Sequence, residues 1–99
     1  MIRHIALYKL TQKAYDEGVG KVVEKLDRSV KGMVGNVKGL LHAEVALNLE
    51  SNSPHDLFFY SEFENMDDIP PYLMSEAHKN HADMADGYVC DKEGVDVEV

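Results

Sequence analysis

Two short stretches of this sequence carry apolar side chains on both parities, and that feature restricts the fold more than any other. In residues 2–10, Ile-Arg-His-Ile-Ala-Leu-Tyr-Lys-Leu, one parity holds Ile2, Ala6, Tyr8 and Leu10 and the other holds Ile5 and Leu7. In residues 56–64, Asp-Leu-Phe-Phe-Tyr-Ser-Glu-Phe-Glu, Phe58 and Tyr60 oppose Leu57, Phe59 and Phe63. Successive side chains of a strand point to opposite faces, so strands of this kind need cover above and below. A strand with one wet face alternates instead. Both stretches therefore read as central strands of one sheet.

The remaining segments supply the partners for those strands. Between about Gln12 and Lys31 the apolar period becomes helical, with Tyr15, Val19, Val22, Val23, Leu26 and Val30 on one stripe. Glu17 with Lys21 and Glu24 with Arg28 stand four apart on its polar side. Gly18 and Gly20 weaken its first turns, and Gly32, Gly35 and Asn36 end it. Residues 39–48 read as a second strand, joined to the 56–64 strand by a polar hairpin loop around Ser51, Asn52, Ser53 and Pro54. Asp67 or Asp68 caps a short helix that contains Pro70 and Pro71 and ends near Met74; first-turn prolines lose no internal hydrogen bond. Ser75 caps a further helix that runs through Ala77, Met84, Ala85, Tyr88 and Val89, and a last strand covers Gly94 to Val99.

The order is β-α-β-β-α-β, the ferredoxin-like α+β unit with an antiparallel four-stranded sheet, in which the first and third strands are central. These are the two strands whose faces both read apolar. Helices can cover one face of such a sheet, so the other must either meet water or meet a second sheet. A second copy of the chain provides one through a self-complementary two-fold interface, and the expected assembly is a homodimer. At 99 residues, 44% apolar, the chain reads as a single domain over 1–99, small enough that burial against a partner adds useful stability.

Charge narrows the function classes. Asp plus Glu number 18 against 10 for Lys plus Arg, a formal net charge of -8, which repels phosphate backbones and anionic headgroups. Nucleic acid and membrane are excluded as partners on this reading. The N-terminus runs straight into strand pattern without a long apolar stretch, so neither a signal peptide nor a membrane span is expected. The lone Cys90 can form no internal disulfide, and the chain reads as cytoplasmic.

His78 is the leading catalytic candidate. It stands third after the Ser75 cap, where the positive helix end disfavours imidazolium and leaves the neutral ring that proton abstraction needs. Equally, it can pack or cap at a subunit joint. Tyr72, six residues earlier, can donate its hydroxyl to a carbonyl, although a core aromatic with a satisfied tip is the plainer reading. His78 and His81 share a helical face near Glu76 and Asp83, but two converging ligands fall short of the three or four that zinc requires, and no metal site is expected. Asp83 and Asp86 solvate the helix. His4 lies within the apolar first strand as a hydrogen-bonded core residue, whereas His42 reads as half-exposed and His55 as a loop residue. Gly18-Val19-Gly20 lies inside a helix and is no phosphate loop, and Cys90 has no placed base, so neither a cofactor nor thiol chemistry is indicated. Met33, Met66, Met74 and Met84 read as core and interface fillers.

Four segments in order, Met-Ile-Arg-His-Ile-Ala-Leu-Tyr-Lys (1–9), Gly-Leu-Leu-His-Ala-Glu-Val (39–45) with Asn48, Ser-Glu-Phe-Glu (61–64) and Tyr-Leu-Met-Ser-Glu-Ala-His (72–78), resemble the stress-responsive A/B barrel domain, Dabb. The resemblance spans essentially the whole chain. It implies a dimeric α/β barrel in which two ferredoxin-like sheets face one another. It also implies a homodimer that binds a small, partly apolar molecule in a pocket between sheet and helices, in a stress-related setting. In the family's plant polyketide-cyclase branch, a His general base and a Tyr perform an intramolecular aldol condensation. Those positions match His78 and Tyr72, and a first-strand His at the pocket wall matches His4. The alternative implied is therefore a cofactor-independent cyclase or lyase with His78 as base. The sequence departs from that branch at Leu57, His81, Lys92 and Gly94 around the pocket, and at Glu76 and Pro70-Pro71 around the helix start.

Overall fold

The computed structural model describes residues 1–99. The chain runs β1 (Ile2–Leu10), α1 (Gln12–Glu17), α2 (Val19–Lys31), β2 (Leu40–Leu47), β3 (Leu57–Phe63), a 3-10 turn (Met66–Asp68), α3 (Ile69–Leu73), α4 (Glu76–Ala85) and β4 (Val89–Glu98). The sheet order is β2-β3-β1-β4 with every pair antiparallel, so the two strands with apolar side chains on both parities are the central ones. This is the ferredoxin-like α+β arrangement expected from the residue pattern.

Burial divides the sheet into two unlike faces. Ile2, Ala6 and Leu10 of β1, Leu57, Ser61 and Phe63 of β3, and Ala43 and Val45 of β2 are buried beneath the helices. Val22, Leu26 and Val30 of α2 close over them, with Ile69 and Tyr72 of α3 and Ala85 of α4. Cross-strand register places Ile5 beside Tyr60 and Val95, and Leu7 beside Phe58, on the opposite face. No helix covers that face: Ile5, Leu7, Phe58 and Tyr60 are only half-buried, and Val95 and Val97 are exposed. Phe58 and Tyr60 stack there with ring centroids 5.6 Å apart.

Several expectations need correction. The single helix expected over 12–31 is two helices, because Gly18 takes φ 105°, a value open to glycine, and serves as C-cap of α1 and N-cap of α2. The break rotates α1 away from the α2 stripe: Tyr15 is exposed and Ala14 is buried in its stead. Glu17 is thereby parted from Lys21, and the i to i+4 ion pairs on α2 are Glu24–Arg28 at 2.8 Å and Asp27–Lys31 at 2.7 Å.

The last strand begins at Val89, not Gly94, and α4 stops at Ala85, so Tyr88 and Val89 lie beyond it. The polar run Cys-Asp-Lys-Glu-Gly looks like a loop, yet it pairs along β1 through an irregularity between Leu7 and Lys9 where Asp91 takes φ 53°. Among the methionines, Met33 is buried but Met66 and Met74 are exposed. The two prolines do sit in the first turn of α3, as their missing donors allow. The Asp68 carboxylate accepts from the Asn65 backbone N–H at 3.2 Å, so it closes the preceding 3-10 turn and makes no side-chain cap on α3, against the expectation for Asp67 or Asp68.

Candidate functional site

Between the sheet and α4 lies a cavity of about 250 Å³, larger than the roughly 150 Å³ apolar cavity that suffices to hold benzene. The even positions of β1 form its floor: His4, Ala6 and Tyr8. Phe59 of β3 adds an aromatic wall, its ring edge-on to that of Tyr8 at 5.1 Å. The helical side contributes Tyr72 from α3 and His78 and His81 from α4. His4, His78, His81, Tyr8 and Tyr72 are thus delivered to one space by strand alternation and by the helical i, i+3 spacing.

One hydroxyl fixes the helical part of the site. Ser75 Oγ accepts from the His78 backbone N–H at 3.1 Å, as the sequence predicts for a cap, and donates to the Tyr72 carbonyl oxygen at 2.7 Å. It ties the end of α3 to the start of α4, and the Tyr72 and His78 rings meet edge to face with centroids 4.7 Å apart. Tyr72 packs its other side on Phe63 at 5.0 Å. Burial, with the Tyr8 hydroxyl adding to it, pushes the Tyr72 phenol up to about 12, so it remains a proton donor at neutral pH.

His78 is held below the ordinary imidazole range. Burial is the main cause, and the Lys92 ammonium and His4 add to it, against an opposing contribution from the Leu73 backbone. The direction is the one expected from its place after the Ser75 cap, but desolvation and neighbouring charge produce it. His81 is buried more completely, and burial followed by the nearby His78 lowers it to about 4. Its Nδ1 meets Ser29 Oγ of α2 at 2.9 Å and its ring leans on Phe59.

His4 does not stand alone in its strand. Register sets it opposite Asp96 on β4, and its Nδ1 hydrogen-bonds the Asp96 carboxylate. The ring lies edge-on to Phe63 and Tyr72, with centroids at 6.0 and 6.4 Å. His4, Tyr72 and His78, singled out from sequence, therefore share one cavity. Sequence reasoning missed Asp96 and Ser29, whose roles depend on strand register and helix packing. For His81 it offers a metal candidate and a departure at the pocket, and the structure places the ring in the cavity lining. No group of three or more His, Cys, Asp or Glu side chains is placed to hold a metal ion. Cys90 is exposed, and the His55 ring, although in a loop, lies 3.8 Å from Glu93.

The fold and site define a ferredoxin-like α+β subunit with a partly open His/Tyr cavity under its helices. Residues 2–99 match the Stress responsive A/B Barrel Domain, Dabb, and the chain belongs to that family. Among solved structures, it is similar to a dimeric protein of unknown function and ferredoxin-like fold from Bacteroides fragilis, with 23% identity, 99% of this chain and 95% of that one covered, and a TM-score of 0.83. It is also similar to the Arabidopsis thaliana protein At3g17210, at 17% identity, 100% and 95% coverage and a TM-score of 0.81. A dimeric ferredoxin-like protein of unknown function from Jannaschia sp. CCS1 matches at 15% identity, 99% and 98% coverage and a TM-score of 0.78. No curated protein matches the sequence. No helix of the chain is long and apolar enough to cross a membrane.

Proposed function

We propose that the protein is a homodimer whose subunits each bind a small, partly apolar molecule in the cavity between sheet and helices. The observation that carries this is the composition of that cavity: an apolar body formed by Ala6, Phe59 and Ala85, with Tyr72 and His78 converging on it. Pockets that orient small ligands combine an apolar lining with a few placed polar groups. Pairing of the helix-free sheet faces accounts for Ile5, Leu7, Phe58 and Tyr60, and the Bacteroides fragilis and Jannaschia neighbours are described as dimeric. The family resemblance adds a stress-related setting, and the lone Cys90, which can form no internal disulfide, supports a cytoplasmic location.

A two-dimensional NMR titration with small aromatic fragments tests it. Shift changes at Tyr72, His78, His81 and Ala82 are expected. Changes confined to the helix-free face, or none, would overturn it.

A second reading is favoured by the pairing of a neutral imidazole with a protonated phenol. In a cofactor-independent cyclase or lyase, His78 would take a proton from a carbon next to a carbonyl, and Tyr72 would donate a hydrogen bond to the enolate oxygen. His4, oriented by Asp96, would assist as a second polar group at the same wall. The check is deuterium incorporation at the α-carbon of a simple β-keto ester in D2O. Wild type should accelerate exchange and His78→Ala should remove the acceleration with its circular dichroism unchanged. A wild-type rate equal to that of buffer would discard this chemistry while leaving the binding reading in place.

A further inference from the structure

Lys92 is the one cationic side chain that lines the cavity. It takes part in none of the protein's six ion pairs, although the chain carries an excess of acids. Its path follows from Gly94. The two share a strand parity with Asp96, on the helix-covered side of β4, and a Cβ at Gly94 would lie 4.0 Å from Lys92 Cε. Lys92 is exposed on this edge strand, and its chain passes beside the bare glycine at the rim of the cavity it lines. Its charge is felt at His78, which it helps to keep neutral.

Of the two acids at the cavity, Glu44 is held 3.7 Å from His42, a neighbour of the same parity on β2, and Asp86 sits exposed at the end of α4. An ammonium outside every ion pair, lining the same cavity as His78, His81 and Tyr72, creates a place for negative charge, since lysine binds anions as a compact point charge. In a chain of net charge -8 that would otherwise repel an anion, this is a local reversal.

We propose that Lys92 receives an anionic oxygen of the ligand, so that the cavity selects small apolar carboxylic acids over neutral molecules of the same shape. This rests on the binding reading above and names its ligand class. The acid lies with its hydrocarbon body against Phe59 and Ala6, its carboxylate toward Lys92, and its nearest polar substituent within reach of Tyr72 and His78.

Isothermal titration with 4-propylbenzoate and 4-propylbenzamide tests the proposal in wild type and in Lys92→Met. Wild type should bind the benzoate about tenfold or more tightly than the amide, the scale of one charge-assisted hydrogen bond. Lys92→Met should remove that preference and leave amide affinity unchanged. Equal affinity for the two probes in wild type, or a loss in Lys92→Met that is the same for both, would overturn the proposal and leave the cavity as a neutral-ligand site. Binding of neither probe would remove the proposal together with the reading beneath it. A ligand-free readout accompanies these: the His78 NMR titration midpoint should rise in Lys92→Met, and an unmoved midpoint places the ammonium outside the cavity and contradicts the proposal.

Discussion

One strand shows the contrast between the two sides of this sheet. β3 sends Leu57 and Phe63, both wholly inaccessible to solvent, beneath the helices, and sends Phe58 and Tyr60 to a face where they are only half-buried. The side chains are alike in chemistry and differ only in parity. The covered face is completed within the chain and includes a cavity; the bare face is completed only by something outside it. On the proposed dimer, a sequence that places aromatics on both parities specifies two different events, folding on one side and association on the other.

The largest effect that would test this division comes from Phe63. Phe63→Ala opens a void in the sealed face and should destabilise the subunit by about 3–5 kcal/mol, seen as a fall in denaturation midpoint that is independent of protein concentration. A loss below about 1 kcal/mol would mean that this face is not the core.

His81 gives the next largest effect and a sign that can be checked. Its folded-state value of about 4 lies below the ordinary 6.5, so the unfolded chain takes up a proton that the folded one refuses as pH falls between them. Its contribution is fully present above about 6.5 and is progressively lost toward pH 4, by about 3 kcal/mol. Chemical denaturation across that window should show a steeper acid loss for wild type than for His81→Leu. Equal slopes would mean that His81 is not buried as a neutral ring.

Phe58→Ala should act on association instead. Truncating a central aromatic anchor costs an interface about 2 kcal/mol, so the dimer dissociation constant should rise while far-ultraviolet circular dichroism stays the same. The comparison fails if Phe58→Ala and Phe63→Ala behave alike. The smallest effect belongs to Ser75→Ala, which loses a cap worth about 1 kcal/mol. It should also shift the Tyr72 and His78 ring resonances, because both residues hang on that hydroxyl; an unchanged ring environment would show the cap to be incidental to the site.

Much of this could be read from the residues in order. The two central strands, the Ser75 cap and the meeting of His4, Tyr72 and His78 on one side depend on parity, on local capping chemistry and on family resemblance. What could not be read depends on register and on backbone choices without a side-chain signature. Asp96 becomes a partner of His4 only through the β1–β4 alignment, and Ser29 reaches His81 only after α2 packs beside α4. Gly18 was visible as a weak point but not as a break, because glycine allows a positive φ without requiring it. The early part of β4 carries too many polar residues to look like a strand, and as an edge it has one neighbour to satisfy. Lys92, inside that stretch, is placed around the pocket by the family resemblance alone, since nothing in its local residues marks a strand.

Everything proposed for the bare side of the sheet depends on its closure by a second copy of the chain. Sedimentation equilibrium of the wild-type protein at micromolar concentration addresses it without any ligand or variant. A single species of twice the 11.1 kDa subunit mass is expected. A stable species of 11.1 kDa would contradict it, since Phe58, Tyr60, Ile5 and Leu7 would then face water.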